Sequence, residues 1–192
     1  MENFIRKKNR KWMVLIFLSF FLDSCEGLGV RYPKNFKLER HLQTEKVKNR
    51  ALRKIREKYP VLKLAVIGGG GITNFHNITF YFDCKEPKSV SEARKMLVDV
   101  CEITLGEVNA NKKLRPYLRN YPFKARNLDI AIFFEGQYGE GKLYCVNQIN
   151  NRVDFESQNY TKVSVTHSWV FLTESYDEAK KKVAKTLVQN TK

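Results

Sequence analysis

The stretch "NITFYFDCKEPKSVSEARKMLVDVCEITLGEVNA", residues 77–110, changes its apolar period partway along. In its first part Ile78, Phe80, Phe82 and Cys84 alternate with Thr79, Tyr81 and Asp83. A period of two puts one set of side chains on each face of a strand. After Pro87 the spacing lengthens. Ala93, Met96, Leu97, Val100, Cys101, Thr104 and Val108 return at intervals of three and four, the single stripe of a helix, and Val98, Ile103 and Leu105 widen it. Ser89 and Glu92 stand in the S-x-x-E pattern that satisfies orphan amides at a helix start. The stretch therefore reads as strand then helix, with a helix face broad enough to cover a sheet.

Working outward, the preceding residues give a helix over 38–58 and two strands. The helix stripe is thin: Ala51, Leu52, Ile55 and Tyr59, with Leu38 and Leu42 further back. Pro60 ends it, and Leu62, Leu64 and Val66 alternate as a strand that pairs in a hairpin with Ile78–Cys84 across Gly68–Gly71. Downstream, Leu128, Ile130, Ile132 and Phe134 alternate, and Leu143, Cys145 and Asn147 begin another strand. Asn150 and Asn151 suit a two-residue turn. Val163, Val165, His167, Trp169 and Phe171 line one face of a last strand. Ser175 and Glu178 then cap a closing helix carrying Tyr176, Ala179, Val183 and Leu187. The order α-β-β-α-β-β-β-β-α predicts an α+β fold: a single domain with an antiparallel or mixed sheet of about five to six strands and helices packed on one face.

Charge is unevenly distributed. Of 35 basic and 20 acidic residues, 12 basic and three acidic lie within 31–63, and six basic with none acidic lie within 111–126. The segments 64–110 and 127–173 each sum to −2. Two cationic segments on a near-neutral body point to an anionic partner: a membrane surface, an envelope polymer or nucleic acid. The candidate residues are Lys46, Lys48, Arg50, Arg53, Lys54, Arg56 and Lys58 on the first helix. In the connection they are Lys112, Lys113, Arg115, Arg119, Lys124 and Arg126. There Tyr117, Tyr121 and Phe123 are interleaved with the cations. Such rings either stack on bases or plug the core edge while the cations stay in water.

The chain opens with five basic residues between Arg6 and Lys11, followed by an apolar run, Trp12–Leu22, of 11 residues. A bilayer-spanning helix needs about 20 apolar residues, so this run reads as the hydrophobic region of a secretory signal. It leads into "LDSC", residues 22–25, which resembles the bacterial lipobox, the mark of the exported lipoprotein class; Asp23 departs from that pattern. The resemblance implies a lipid on Cys25. Cleavage after Gly29 without lipidation remains the alternative. Residues 1–25 are thus expected to be a signal peptide, 26–37 a linker or tether, and 38–192 the folded domain. Five basic and two acidic groups leave with residues 1–25, so the remainder carries +12. Further along, "RPYLRNYPF" followed by "NLDIAIFF" resembles a group of uncharacterised small exported proteins of intracellular bacteria, over roughly 90–180. That resemblance implies bacterial export and brings no activity with it.

Motifs for catalysis are missing. The glycines at 68–71 lack the G-K-[ST] of a phosphate loop, and Thr73 stands where a dinucleotide turn has its third glycine. His41, His76 and His167 fit no zinc pattern, and Cys84, Cys101 and Cys145 show no paired metal spacing, reading instead as small buried apolar groups. Cys145 and His167 could meet across neighbouring strands as a nucleophile and base. No cofactor is expected. The function expected is an exported, lipid-anchored, non-catalytic binding or structural domain at an anionic envelope or host surface. The alternatives are a secreted nucleic-acid or polyanion binder and an enzyme of unknown class.

Overall fold

The change of period at Pro87 marks the start of a crossover between two parallel strands. The computed structural model describes residues 35–71, 74–136, 139, 142–161 and 164–189, with backbone alone for 159–161 and 164–167. The elements are α1 (Phe36–Lys58), β1 (Leu62–Gly70), β2 (Asn77–Cys84), α2 (Val90–Ala110), β3 (Leu128–Phe134), β4 (Cys145–Ile149), β5 (Arg152–Thr161), β6 (Ser164–Ser175) and α3 (Tyr176–Gln189). Two short 3₁₀ turns, Arg115–Tyr117 and Ala125–Asn127, lie between α2 and β3. The six strands form one sheet in sequence order. Neighbours are antiparallel except β2 and β3, which run parallel. A parallel pair cannot be closed by a tight turn, and α2 with the 111–127 connection supplies the crossover. The result is an α+β domain with a mixed sheet and three helices on it.

The inward face of the central strands is apolar throughout. Register places Phe80 beside Ile130 and Phe82 beside Ile132, and all four are at most 1% exposed. Each such side chain contributes about 1.5–3 kcal/mol relative to an exposed one. Over them lies α2 with Ala93, Leu97, Val100, Cys101 and Val108 fully buried. One cluster joins these to Val47, Ala51 and Ile55 of α1 and to Tyr176, Ala179 and Val183 of α3. The Ser89–Glu92 capping box forms as the sequence reading expected, as does its counterpart at Ser175 and Glu178. Asn150 and Asn151 both take positive φ, 51° and 68°, the requirement of a type I′ hairpin turn.

Departures from simple alternation are local. In β1 the register shifts between Leu64 and Val66, so Val66 leaves the inner row and is 46% exposed. In β6 Phe155 pairs with Leu172 but Glu156 pairs with Val170, leaving Phe171 as an extra residue. Phe171 is consequently exposed rather than part of an inner row with Trp169, and Leu172 and Glu174 take the inward positions. Along α1 the stripe differs too: Leu38 and Leu42 face water, while Gln43, Thr44 and Val47 are buried. The glycines at 68–70 belong to β1 itself, pairing with Thr79, Ile78 and Asn77.

α1 is also fastened by charge. Glu107 of α2 accepts from Arg50 at 2.9 Å and Lys54 at 2.6 Å. Asp99 accepts from Lys58 at 2.9 Å, Lys95 at 2.7 Å and the Tyr59 hydroxyl. The hydrogen bond from Lys54 lowers the Glu107 pKa, against some opposing burial, with Arg50 adding to the lowering. At Asp99 burial pushes upward, but hydrogen bonds from Lys95, Tyr59 and Lys58 outweigh it and leave the pKa depressed. Carboxylates depressed in the folded state stabilise it above their unfolded pKa, and this contribution fades as pH falls through the folded value. Stability measured by urea titration is therefore expected to drop as pH goes below the ordinary carboxylate range. The drop should be smaller in the Asp99→Asn, Glu107→Gln double variant. An identical pH slope in both proteins would contradict this fastening.

Candidate anionic-surface site

Because β2 and β3 are parallel, both begin at the same end of the sheet, where Asn77–Ile78 lies beside Leu128. The 111–127 connection must come back to that end from α2. Four side-chain amides fix its path. Asn111 accepts from the backbone amides of Lys113 at 3.0 Å and Leu114 at 3.1 Å. Asn109 both donates to the Phe123 carbonyl, 3.0 Å, and accepts from its amide, 2.8 Å. Asn127 accepts from the Lys124 amide and donates to the His76 carbonyl, each at 3.0 Å. Gln148, fully buried on β4, donates to the Ala125 carbonyl at 3.0 Å.

The 74–76 segment completes the support. Phe75 donates its amide to the Tyr117 carbonyl, 2.7 Å, and its carbonyl accepts from Arg119, 3.0 Å. Its ring stacks on Phe123 with centroids 5.8 Å apart and planes 6° from parallel. Leu114, Phe123 and Ala125 point inward and are buried. Bonded to the body at so many points, the connection has a defined outer surface.

That surface is cationic. Lys112, Lys113, Arg115, Arg119, Lys124 and Arg126 are all exposed, and among the described residues none pairs with a carboxylate. The Arg115 guanidinium lies over the Tyr121 ring, 4.1 Å from its centroid, and donates to the Tyr121 hydroxyl at 2.8 Å.

The other predicted basic group, on α1, is placed differently. Lys48 is buried and paired with Glu45 at 3.1 Å, so it does not belong to a solvent-facing surface. Arg50, Lys54 and Lys58 are taken up by α2 as described, and Arg53 lies 3.7 Å from Glu57. Lys46 and Arg56 are exposed without a carboxylate partner among the described residues. Five of the seven candidate cations on α1 are thus paired with carboxylates, and none of the six in the connection is, among the described residues. Cys25 and the rest of residues 1–25, expected from the sequence to be a signal peptide, lie outside the described residues.

Other candidate chemistry disperses. Strand β5 separates Cys145 on β4 from His167 on β6, and Cys145 pairs with Glu156 while His167 pairs with Asn159, so the two do not lie on neighbouring strands. Cys84, Cys101 and Cys145 are free and buried, and burial pushes all three thiols up, away from the thiolate a nucleophile needs. Among the described residues no cluster of His, Cys, Asp or Glu has the makings of a metal site, and no helix is long and apolar enough to cross a membrane. The glycines serve the backbone. At Gly69, with φ +100°, a Cβ would sit 2.3 Å from the Asn77 carbonyl oxygen, and at Gly71 it would sit 2.0 Å from that of Asn74.

Sequence reasoning did not find the amide clamps. Asn109, Asn127 and Gln148 stand in no motif, and their roles exist because the crossover returns the chain over them. No family model, curated protein or solved structure matches the chain.

Proposed function

We propose that this domain attaches to an anionic surface through the 111–126 connection, as the folded part of an exported, lipid-anchored, non-catalytic protein carrying its lipid on Cys25. The supporting observation is the contrast between the two basic segments: of the seven candidate cations on α1, three pair with carboxylates of α2 and two with carboxylates of α1 itself, whereas six on the connection are exposed with no carboxylate beside them among the described residues. Near an anionic leaflet each Lys or Arg adds about 1 kcal/mol of attraction. A lipobox-type cysteine is diacylated, and a basic patch beside such an anchor adds to its hold on an anionic leaflet.

The rings bear on the choice between a surface and single-stranded nucleic acid. Base stacking needs an open aromatic face. Phe123 is buried against Phe75, and Arg115 covers one side of Tyr121. The cations are available, Phe123 is taken, and Tyr121, 49% exposed, keeps only one face open, which favours a charged surface over a run of stacked bases. The chain of residues 26–192 retains every core side chain among the described residues, and it is the protein to test. It is expected to co-sediment with vesicles containing anionic lipid and to stay in solution with neutral ones, with release as salt rises. Equal pelleting with both kinds of vesicle, or with neither, would remove the proposal. Tighter binding to a single-stranded oligonucleotide than to anionic vesicles would transfer it to the alternative partner.

A further inference from the structure

Beside the connection lies a groove of about 770 Å³, with walls from α2, residues 123–126, the β4–β5 turn and the start of α3. Three features of its lining go together. First, Gly106 sits in the interior of α2, where glycine is the costliest residue short of proline. A Cβ built there meets nothing within 4 Å. The packing of the fold therefore gives no reason for the missing side chain, and its effect is to leave bare helix backbone in the groove wall. Second, Lys124 and Arg126 line the same groove and have no carboxylate partner among the described residues. Third, the side-chain amides of Asn150 and Asn151 lie on its rim and make no hydrogen bond within the described residues. Of the two acids in the lining, Glu102 is already bound, accepting from Tyr176 and Lys180 at 2.9 Å each. Asp177 is the other.

We infer that this groove binds a phosphate ester, with the phosphate held by Lys124 and Arg126, amide donors from Asn150 and Asn151, and the organic part of the ligand seated against the backbone at Gly106. Arg supplies a forked donor matched to phosphate oxygens and Lys a point charge. Amides on a turn whose backbone is held by the Tyr176-to-Asn151 bond, 3.0 Å, add directional donors. Such an ester has two sources, the head group of a lipid and a free phosphate ester. The inference rests on the anionic-surface reading only for the first of these. The groove would then select a head group on a surface that the outer cations find by charge alone.

The test uses residues 26–192 with sn-glycerol 3-phosphate and inorganic phosphate as probes, followed by backbone amide shifts at Gly106, Asn150 and Asn151. Glycerol phosphate is expected to give saturable shifts at these three positions, with inorganic phosphate at least tenfold weaker. Gly106→Leu should abolish the response, and the Lys124→Ala, Arg126→Ala double variant should weaken it at least tenfold. Gly106→Ala, a change that leaves the fold unstrained, should raise the melting midpoint by about 2–4 °C, the opposite sign to its effect on affinity. No saturable shift, or a response unchanged in Gly106→Leu, would overturn the inference. If a short-chain lipid with a glycerol phosphate head group competes with the free ester, the lipid source stands; if it does not, the free ester does. The two readings fail separately. Alanine at Lys112, Lys113 and Arg119 should weaken vesicle binding and leave the glycerol phosphate response intact, whereas Gly106→Leu should leave vesicle attraction by the outer cations in place.

Discussion

Replacing Lys112, Lys113 and Arg119 together by alanine is expected to weaken binding to anionic vesicles by about a hundredfold, from roughly 1 kcal/mol for each cation removed. These three are chosen because they are exposed and make no carboxylate pair among the described residues, so their loss should not disturb the fold. Arg115 is left in place since its guanidinium rests on Tyr121. The instructive comparison is a second variant with Arg50 and Lys54 changed to alanine. It removes two charges from the helix that looks most basic in sequence, yet both bind Glu107, whose side chain is only 11% exposed. That variant should lose stability, because a mostly buried carboxylate is left without its cations, and should lose little vesicle affinity. Co-sedimentation across lipid concentrations, with urea midpoints for both proteins, separates the outcomes. If the α1 variant loses more affinity than the connection variant, the site has been put on the wrong segment.

Changing Glu174 to glutamine is expected to cost about 3–5 kcal/mol of folding stability. Glu174 points inward from β6, with a side chain 3% exposed, and accepts from Arg94 of α2 at 2.5 Å and from Lys182 of α3. Arg94 is itself only 12% exposed, and its guanidinium lies 5.0 Å from the centre of the Phe155 ring. Glutamine keeps the shape but leaves that guanidinium buried beside a neutral group. Lys182, half exposed, loses little because water can solvate it. Against a total of about 5–15 kcal/mol for a domain, the loss should bring the urea midpoint down by about a fifth or more. An Arg94→Met, Glu174→Leu double variant removes both charges and should recover most of it. A single variant within about 1 kcal/mol of the parent would show that the buried pair contributes little. Inward charge on an edge strand also discourages pairing with another chain, so the double variant is expected to aggregate more readily even where its stability returns.

The regular parts of the fold were legible before any coordinates. The period of Ile78–Cys84, the stripe of α2, both capping boxes and the two-asparagine turn are local patterns set by backbone geometry and terminal hydrogen bonding, and each forms where the residues indicate. Reading failed where one extra residue entered a strand. A bulge gives no warning in a row of apolar residues, so Phe171 looked like an inner residue beside Trp169, although pairing with β5 makes it the surplus one. The thin stripe of α1 misled in a related way. Leu38 and Leu42 have the right spacing, but the core the helix meets begins at Val47, and earlier turns bury Gln43 and Thr44.

For function the division is sharper. By itself the sequence determined the element order, the α+β class and the presence of two cationic segments, since these follow from periodicity and composition along the chain. Which cations remain available was decided by tertiary structure alone, because an ion pair forms between residues distant in sequence: Arg50 meets Glu107 across 57 positions. The same holds for the groove, whose walls are brought together only when α2 returns the chain to the end of the sheet where β2 began. Local forces write the elements; long-range packing decides which charges are left facing water.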